Sequence, residues 1–371
     1  MASSGSLQST DVTLTSGELR TLYLDLLRRP PLDLERKSFL ADVTHLKTAC
    51  NTPGAITPAP LPGPVDLAGK SKSLAAATGF WQQWFEEQLY YFLLVDNFAP
   101  RGESMLTIPA ELAAGKLHVR DALHQIALSS SFDQRNPGAD TFVTVVMEQI
   151  AGLAVDKNRR ELEIGKAAYD GKAGNFLGRA TSSQSDIVRS AFEQRSFALA
   201  FLAREHKRYV HAAPDKQLLS QWADAFQANP TVFPELLQGW IASPAYKARL
   251  AKREPMDNRL FVRSLIVDLC QREPTLEEFS RMRSALDGLA DPQPLRSVMA
   301  RLLLDSDQTS VPTTASGSAA ETLVTEQFAR FLGREPSAAE RSAFVAGLAE
   351  EAGKPAVLVY ALITSPEYQS Y

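Results

Sequence analysis

Cysteine is nearly absent. The chain carries two, Cys50 and Cys270, far apart in sequence, which is too few for a disulfide framework or a thiolate metal cluster. One-sided charge is missing too: 39 Lys and Arg stand against 43 Asp and Glu, a net charge of −4, with no Lys/Arg block to suit a general nucleic-acid binder. No stretch approaches the ~18 apolar residues that cross a bilayer; "YYFLLV" is far too short. The opening "MASSGSLQST" has neither the basic leader nor the apolar segment of a secretory signal, so a cytoplasmic address and export after loss of a leader are both compatible.

Catalytic signatures are scarce as well. The five histidines, His45, His118, His124, His206 and His211, include no i,i+4 pair, and neither Cys-x-x-Cys nor Cys-x-x-Cys-His occurs. They read as helix-surface or helix-end residues. There is no GxSxG elbow, no GxxxxGK[ST] loop and no strand-coupled GxGxxG; "DGKAGNFLG" at 170–178 lacks the phosphate-loop spacing. No catalytic, cofactor or metal residue is assigned, and no cofactor is expected.

What the chain does contain is repetition. "QFARFLGREPSAAERSAFVAGL" from Gln327 restates "FVRSLIVDLCQREPTLEEFSRMR" at 261–283. In both, a helix-spaced apolar pattern stops, an Arg-x-Pro segment turns the chain, and a hydroxyl residue followed three positions later by Glu opens the next helix as a capping box. Ser337 pairs with Glu340 in this way, and Thr275 with Glu278; Gly333 can enter the left-handed region that ends the preceding helix. A third copy is "LYLDLLRRPPLDLERKSFL" at 22–40, with Pro30 and Pro31 at the joint and Leu32 in the cap slot, where Asp33 is the alternative cap.

Closures repeat as well. "LLQGWIASPAYKARL" at 236–250 matches "LVYALITSPEYQSY" at 358–371, with Ser243 and Ser365 capping a turn that starts on proline and Tyr246 and Tyr368 folding back onto the unit just completed. "LHQIALSSSF" at 123–132 and "LRSVMARLLLDSD" at 295–307 read as closures without the proline. These marks predict an all-α fold of degenerate tandem helical modules, packed into a single elongated or curved array. The divisions are a flexible N-terminus at 1–18, a first module at 19–140, central modules at 141–256, a module at 257–312 and a last one at 313–371. The first holds a Pro/Gly-rich insertion at 50–73, an arm or strap, and an aromatic helix at 79–98. A long helix is expected at 186–208 with Asp215 capping the next, and 169–186 reads as a Gly/Ser-rich crossover.

The aromatic run "GFWQQWFEEQLYYFLLVDNFAP" places Trp81, Trp84, Phe85, Gln88, Tyr91 and Phe92 on one helical surface, a buried central helix in the first instance and a partner-binding face in the second. Beyond it, Asp96, Asn97, Arg101 and Glu103 mark the first place to seek a polar cleft. Trp81, Trp84 and Tyr91 join those four as candidate interaction residues. In "RNPGADTF" at 135–142, Asp140 or Thr141 reads as a helix cap.

The residues at 20–42 resemble an uncharacterised, largely planctomycete bacterial family whose helix reads approximately LYLDLTGLPPTPEEVEAFL, and "FDQRNPGADTFVTVVMEQIAGLAV" at 132–155 looks like its continuation. Members often occur in large exported proteins beside predicted cytochrome-like domains. The end of the chain resembles a bacterial surface-protein module with an LGRxP joint and an SPEY ending, and phycobilisome linker domains share a comparable helix pattern and closing tyrosine. These resemblances imply an extracytoplasmic or assembly role. The expected function is a noncatalytic interaction or scaffolding subunit with a protein partner. The alternatives are a hydrolase or redox-associated enzyme using a cleft near 96–103, or an accessory subunit of a cytochrome-containing complex.

Overall fold

A computed structural model describes residues 14–37, 78–93, 103–314, 318–350 and 353–371. Among the described residues the regular elements are helices, apart from one antiparallel hairpin, Gly174–Phe176 against Arg179–Thr181, which lies inside the expected crossover. The chain divides into two compact units. One is discontinuous, built from the N-terminal segment through 73 together with 250–371; the other is the contiguous stretch 74–249. The insertion at 50–73 lies outside the described residues.

The repeat is a three-helix set. In each copy the first helix packs on the second and on the third, and a closure follows. In the discontinuous unit the full sets are Asn258–Cys270, Leu276–Asp287 and Gln293–Leu304, then Ser318–Phe331, Ala338–Ala349 and Pro355–Ile363. The N-terminal segment contributes Ser16–Leu27 and a helical turn at 33–37. Ser16–Leu27 starts inside the stretch expected to be loose, because Thr15 and Glu18 form a capping box at its head.

At all three Arg-Pro joints of this unit the same clamp forms. Arg29 forks onto Glu35 at 2.7 and 2.8 Å, Arg272 onto Glu278 at 2.7 and 2.8 Å, and Arg334 onto Glu340 at 2.8 and 2.9 Å. Each arginine also donates to the carbonyl of the next residue. Each glutamate has a second task, accepting from the backbone N–H of the cap residue, Leu32, Thr275 or Ser337. One carboxylate thus satisfies an orphan donor of the new helix and fixes the corner that leads into it. Leu32 keeps the cap slot with no hydroxyl; Asp33 does not cap but accepts from Arg36.

The joints and closures, which look separate in sequence, are bolted together by the same arginine. Arg334 also binds Glu367 of the Ser-Pro-Glu-Tyr ending, and Arg272 donates to Gln308, each acceptor two residues past its closure serine. Both proline closures have one geometry: the serine hydroxyl donates to the carbonyl three residues back and accepts from the tyrosine N–H at 3.2 Å, and Tyr246 and Tyr368 are fully buried. Ser129 does the same with Phe132, without proline.

The contiguous unit holds three sets: Thr78–Leu93, Glu103–Ala113 and Val119–Ala127; then Ala139–Val145 with its π-helical extension Val146–Ile150, Arg159–Tyr169 and Gln184–Phe192; then Arg195–Val210, Lys216–Ala228 and Phe233–Ile241. The helix expected over 186–208 is therefore two helices, broken at Gln194, whose backbone is extended and whose carbonyl receives the Phe197 N–H as a further closure. The helix after Pro137 starts from Gly138 at φ +80, so neither Asp140 nor Thr141 caps it. Asp215 caps Lys216–Ala228 as expected, through Gln217 and Leu218.

At 211–215 the clamp is gone as a whole. Ala212, Leu218 and Ala245 occupy the positions of the corner arginine, its glutamate and the closure acceptor, and the ring of His206 binds the Ala212 carbonyl at 3.0 Å instead. His206 lies between Trp222 and Trp240, each ring centroid 5.4 Å away, so it is a core residue and not the surface histidine expected.

This contrast predicts a two-stage acid response. Burial lowers the pKa of His206, and burial together with Arg189 lowers that of His124, so their stabilisation is complete above the ordinary histidine value and is lost as pH falls below it. Glu278 and Glu340 are each held at about 2, chiefly by the arginine bond, so the clamps persist above ~4.5 and fail only as pH falls toward about 2. All four tryptophans belong to the contiguous unit. Tryptophan fluorescence should therefore report thermal softening at mildly acidic pH, while helices of the other unit, followed by hydrogen exchange, hold until the carboxylate range.

Candidate functional site

Trp81 and Trp84 are buried, in edge contact with each other at 5.8 Å, so the aromatic helix Thr78–Leu93 is the central helix of its set. Tyr91, one helical step outward, is only half-buried. Of the polar candidates, Asp96, Asn97 and Arg101 lie outside the described residues, as does the side chain of Glu103. The cleft the structure does present runs along the C-terminal half of this helix.

It begins with a buried carboxylate. On Arg195–Val210 the apolar stripe Phe197, Phe201 continues one turn later into Glu205, which is 1% exposed. Its Oε2 accepts from the Trp84 indole at 3.1 Å, and its Oε1 from Gln88 at 3.0 Å and from Arg204 at 3.2 Å, with Arg208 at 3.8 Å from Oε2. Donors from Trp84, Gln88 and Arg204 thus converge on one buried carboxylate. It organises its donors.

Arg204 is the outer member of this group. Nη2 reaches Gln88 at 2.6 Å, and the guanidinium lies 3.9 Å from the centre of the Tyr91 ring, close enough for a cation–π contact. Together with Glu87, Tyr90 and Arg208, these side chains border a cleft of about 300 Å³.

Gln149, carried by the π-helical turn Val146–Ile150, also borders the cleft. In that turn Ala151 N–H bonds the Val146 carbonyl, and beyond Gly152 at φ +66 Leu153 N–H bonds the Met147 carbonyl at 2.8 Å. The wider turn shifts side-chain directions relative to an α-helix, a device that recurs at functional sites. The Gln149 Oε1 is buried and has no hydrogen-bond partner in the protein. An acceptor in that state costs free energy unless water or a bound molecule donates to it.

Sequence reasoning found Gln88, Trp84 and Tyr91 from the helical stripe, named Glu205 only as a possible metal ligand beside His206, and missed Gln149, Arg204 and Arg208. Glu205 had a readable signal, a charge standing in an apolar i, i+4 stripe. The π turn had none.

A second polar cluster, in the discontinuous unit, is structural. Arg20 forks onto Asp268 at 2.7 and 3.1 Å, Tyr368 donates to the same carboxylate at 2.9 Å, and Arg20 also reaches the Arg330 carbonyl at 2.9 Å. Asp268 is wholly buried. A neighbouring cavity of about 170 Å³ touches Arg20 but is bordered by helix ends and the chain terminus. Arg272 and Arg334 serve separate corners, on Glu278 and Glu340. Among the described residues no three His, Cys, Asp or Glu side chains converge as a metal site, and no helix is long and apolar enough to cross a membrane. No protein-family model, curated protein or solved structure matches this chain.

Proposed function

We propose that the chain is a noncatalytic interaction or scaffolding component, in which helical sets hold one recognition cleft in shape for a partner protein. The carrying observation is the cleft itself: Gln88, Tyr91, Gln149 and Arg204 border about 300 Å³ beside a buried carboxylate already held by three internal donors. General acid–base chemistry needs a carboxyl free to exchange a proton with substrate, and Glu205 is spent on internal bonds. The glutamates of the corners are likewise spent on backbone and arginine. Val298 and Leu302, one turn apart and 51% and 67% exposed, add an apolar strip of the kind proteins use for docking. The resemblance of the joints and endings to bacterial surface-protein modules points toward an assembly in the same way.

Affinity capture from the cells that make the protein, comparing the native chain with Tyr91→Ala and paired with metal analysis, tests the reading. A reproducible stoichiometric partner lost on Tyr91→Ala is the expected result. Stoichiometric metal or haem, or a turnover abolished by Glu205→Gln, would replace it with an enzymatic reading.

A further inference from the structure

Four of the helical sets close on a serine whose hydroxyl donates to the carbonyl three residues back: Ser129, Ser243, Ser306 and Ser365. That shared bond puts their third helices in one register. Eight residues before the serine stand Asp121, Glu235, Val298 and Val357, and every one of them is exposed. Four residues before it stand Gln125, Gly239, Leu302 and Ala361, of which only Gln125 is half-buried. The fold therefore asks nothing apolar of either position, and the contiguous unit fills them with acids, an amide and glycine. In the discontinuous unit the same positions carry Val298, Leu302 and Val357, which are 51%, 67% and 59% exposed. They lie on Gln293–Leu304 and Pro355–Ile363, which pack on each other. Aliphatic side chains gathered in water, at positions that elsewhere in the chain are polar, serve contact with something outside the unit.

Size and charge select the occupant. Three such side chains fall far short of the ~800 Å² per partner that a stable dimer buries, so the face suits one segment and not a second globular copy. Val298 and Leu302 are one helical turn apart, the spacing at which a neighbouring helix lays its own apolar stripe along a groove. Asp291 stands just before Gln293–Leu304, and Asp305 and Asp307 just after it, all exposed. The exposed cation of this helix, Arg301, is turned onto Asp305 at 2.8 Å, which leaves the strip bracketed by the carboxylates of Asp291 and Asp307. At the head of the neighbouring helix Lys354 and Glu350 offset one another. We propose that the face formed by Val298, Leu302 and Val357 docks a single amphipathic helix of the partner protein, its aliphatic stripe on these side chains and its lysines or arginines against Asp291 and Asp307. The inference rests on the protein-interaction reading above and adds where the partner docks and what it carries.

The test uses the full chain and two labelled four-turn synthetic peptides, with binding followed by fluorescence anisotropy. One peptide carries leucine along a single helical face and lysine elsewhere; its twin has glutamate for every lysine. The native chain should bind the lysine peptide at least about tenfold more tightly than the twin, with the gap closing as salt is added. Val298→Ser combined with Leu302→Ser should weaken the lysine peptide about tenfold, the loss expected when a buried aliphatic contact is exchanged for serine. The same variant should melt unchanged, because both side chains already stand in water. Asp291→Asn with Asp307→Asn keeps an oxygen for the Gln293 N–H that Asp291 holds, and should narrow the preference for the lysine peptide about threefold. Equal affinity for the twins, no binding of either, or undiminished binding by the double serine variant would each overturn the proposal, as would a native dimer that this variant dissolves. The two readings fail separately: a captured partner lost on Tyr91→Ala but retained by the double serine variant sinks this inference alone, and binding of the lysine peptide by a chain that captures no partner sinks the interaction reading.

Discussion

Asp268→Ala should cost about 3–5 kcal/mol, the largest single loss expected in the discontinuous unit. Asp268 accepts two bonds from Arg20 and one from Tyr368 within a wholly buried site, so its removal strands a guanidinium and a phenol among apolar side chains. Arg20 sits on the N-terminal helix and Asp268 on Asn258–Cys270, 248 residues apart in sequence, so the pair also fixes the N-terminal segment to the rest of its unit. Breaking such a pair from one side is expensive, whereas replacing the group with apolar residues of similar volume is not. The combination Arg20→Met, Asp268→Leu and Tyr368→Phe should recover most of the loss. Urea unfolding followed by circular dichroism measures both, and equal losses for the single and combined variants would show that packing, not the stranded charge, carries the effect.

Gly333→Ala should follow at about 2–4 kcal/mol, combining the left-handed backbone cost with overpacking. Gly333 ends Ser318–Phe331 at φ +67, but Arg28, Gln271 and His211 occupy the same left-handed position at their own corners, so the dihedral alone does not demand glycine. What does is the neighbour: a Cβ at 333 would stand 2.8 Å from the Gly17 Cα and 3.3 Å from the Ser16 carbonyl. Both are backbone atoms, so no rotamer change relieves the overlap, and the helix that must shift is the one bearing Arg20. Gly17→Ala should be milder, since its Cβ would meet the Gly333 oxygen at 3.2 Å and alanine favours the helix. The reverse ranking in the same unfolding experiment would contradict the close approach.

The corners were legible because each is local. Proline, the cap residue and the glutamate three positions later lie within one short stretch, and their bonds follow from spacing alone. The closures were legible for the same reason. The reach of the corner arginine to Glu367 or Gln308 was not, since it depends on how the third helix returns to the first. The buried charges stood in view without their partners: Arg20 and Arg263 each precede an aspartate by five residues, and nothing in that spacing says that Arg20 pairs with Asp268. The aromatic helix is seen over Thr78–Leu93, with 94–98 of the expected span outside the described residues, and its stripe could not tell core tryptophan from half-buried Tyr91. Gln149 owes its place to a π turn, which no residue pattern announces.

The most direct measurement is a double-mutant cycle across Arg272 and Glu278 in the native chain, with stability and partner capture read on the same proteins. If the Arg-Pro segments are structural joints, Arg272→Met and Glu278→Gln each lower stability, their effects are non-additive by about 1 kcal/mol, and partner capture is unchanged. Unaltered stability together with lost capture would make the repeated arginine a recognition residue and reverse the assignment of joint and cleft.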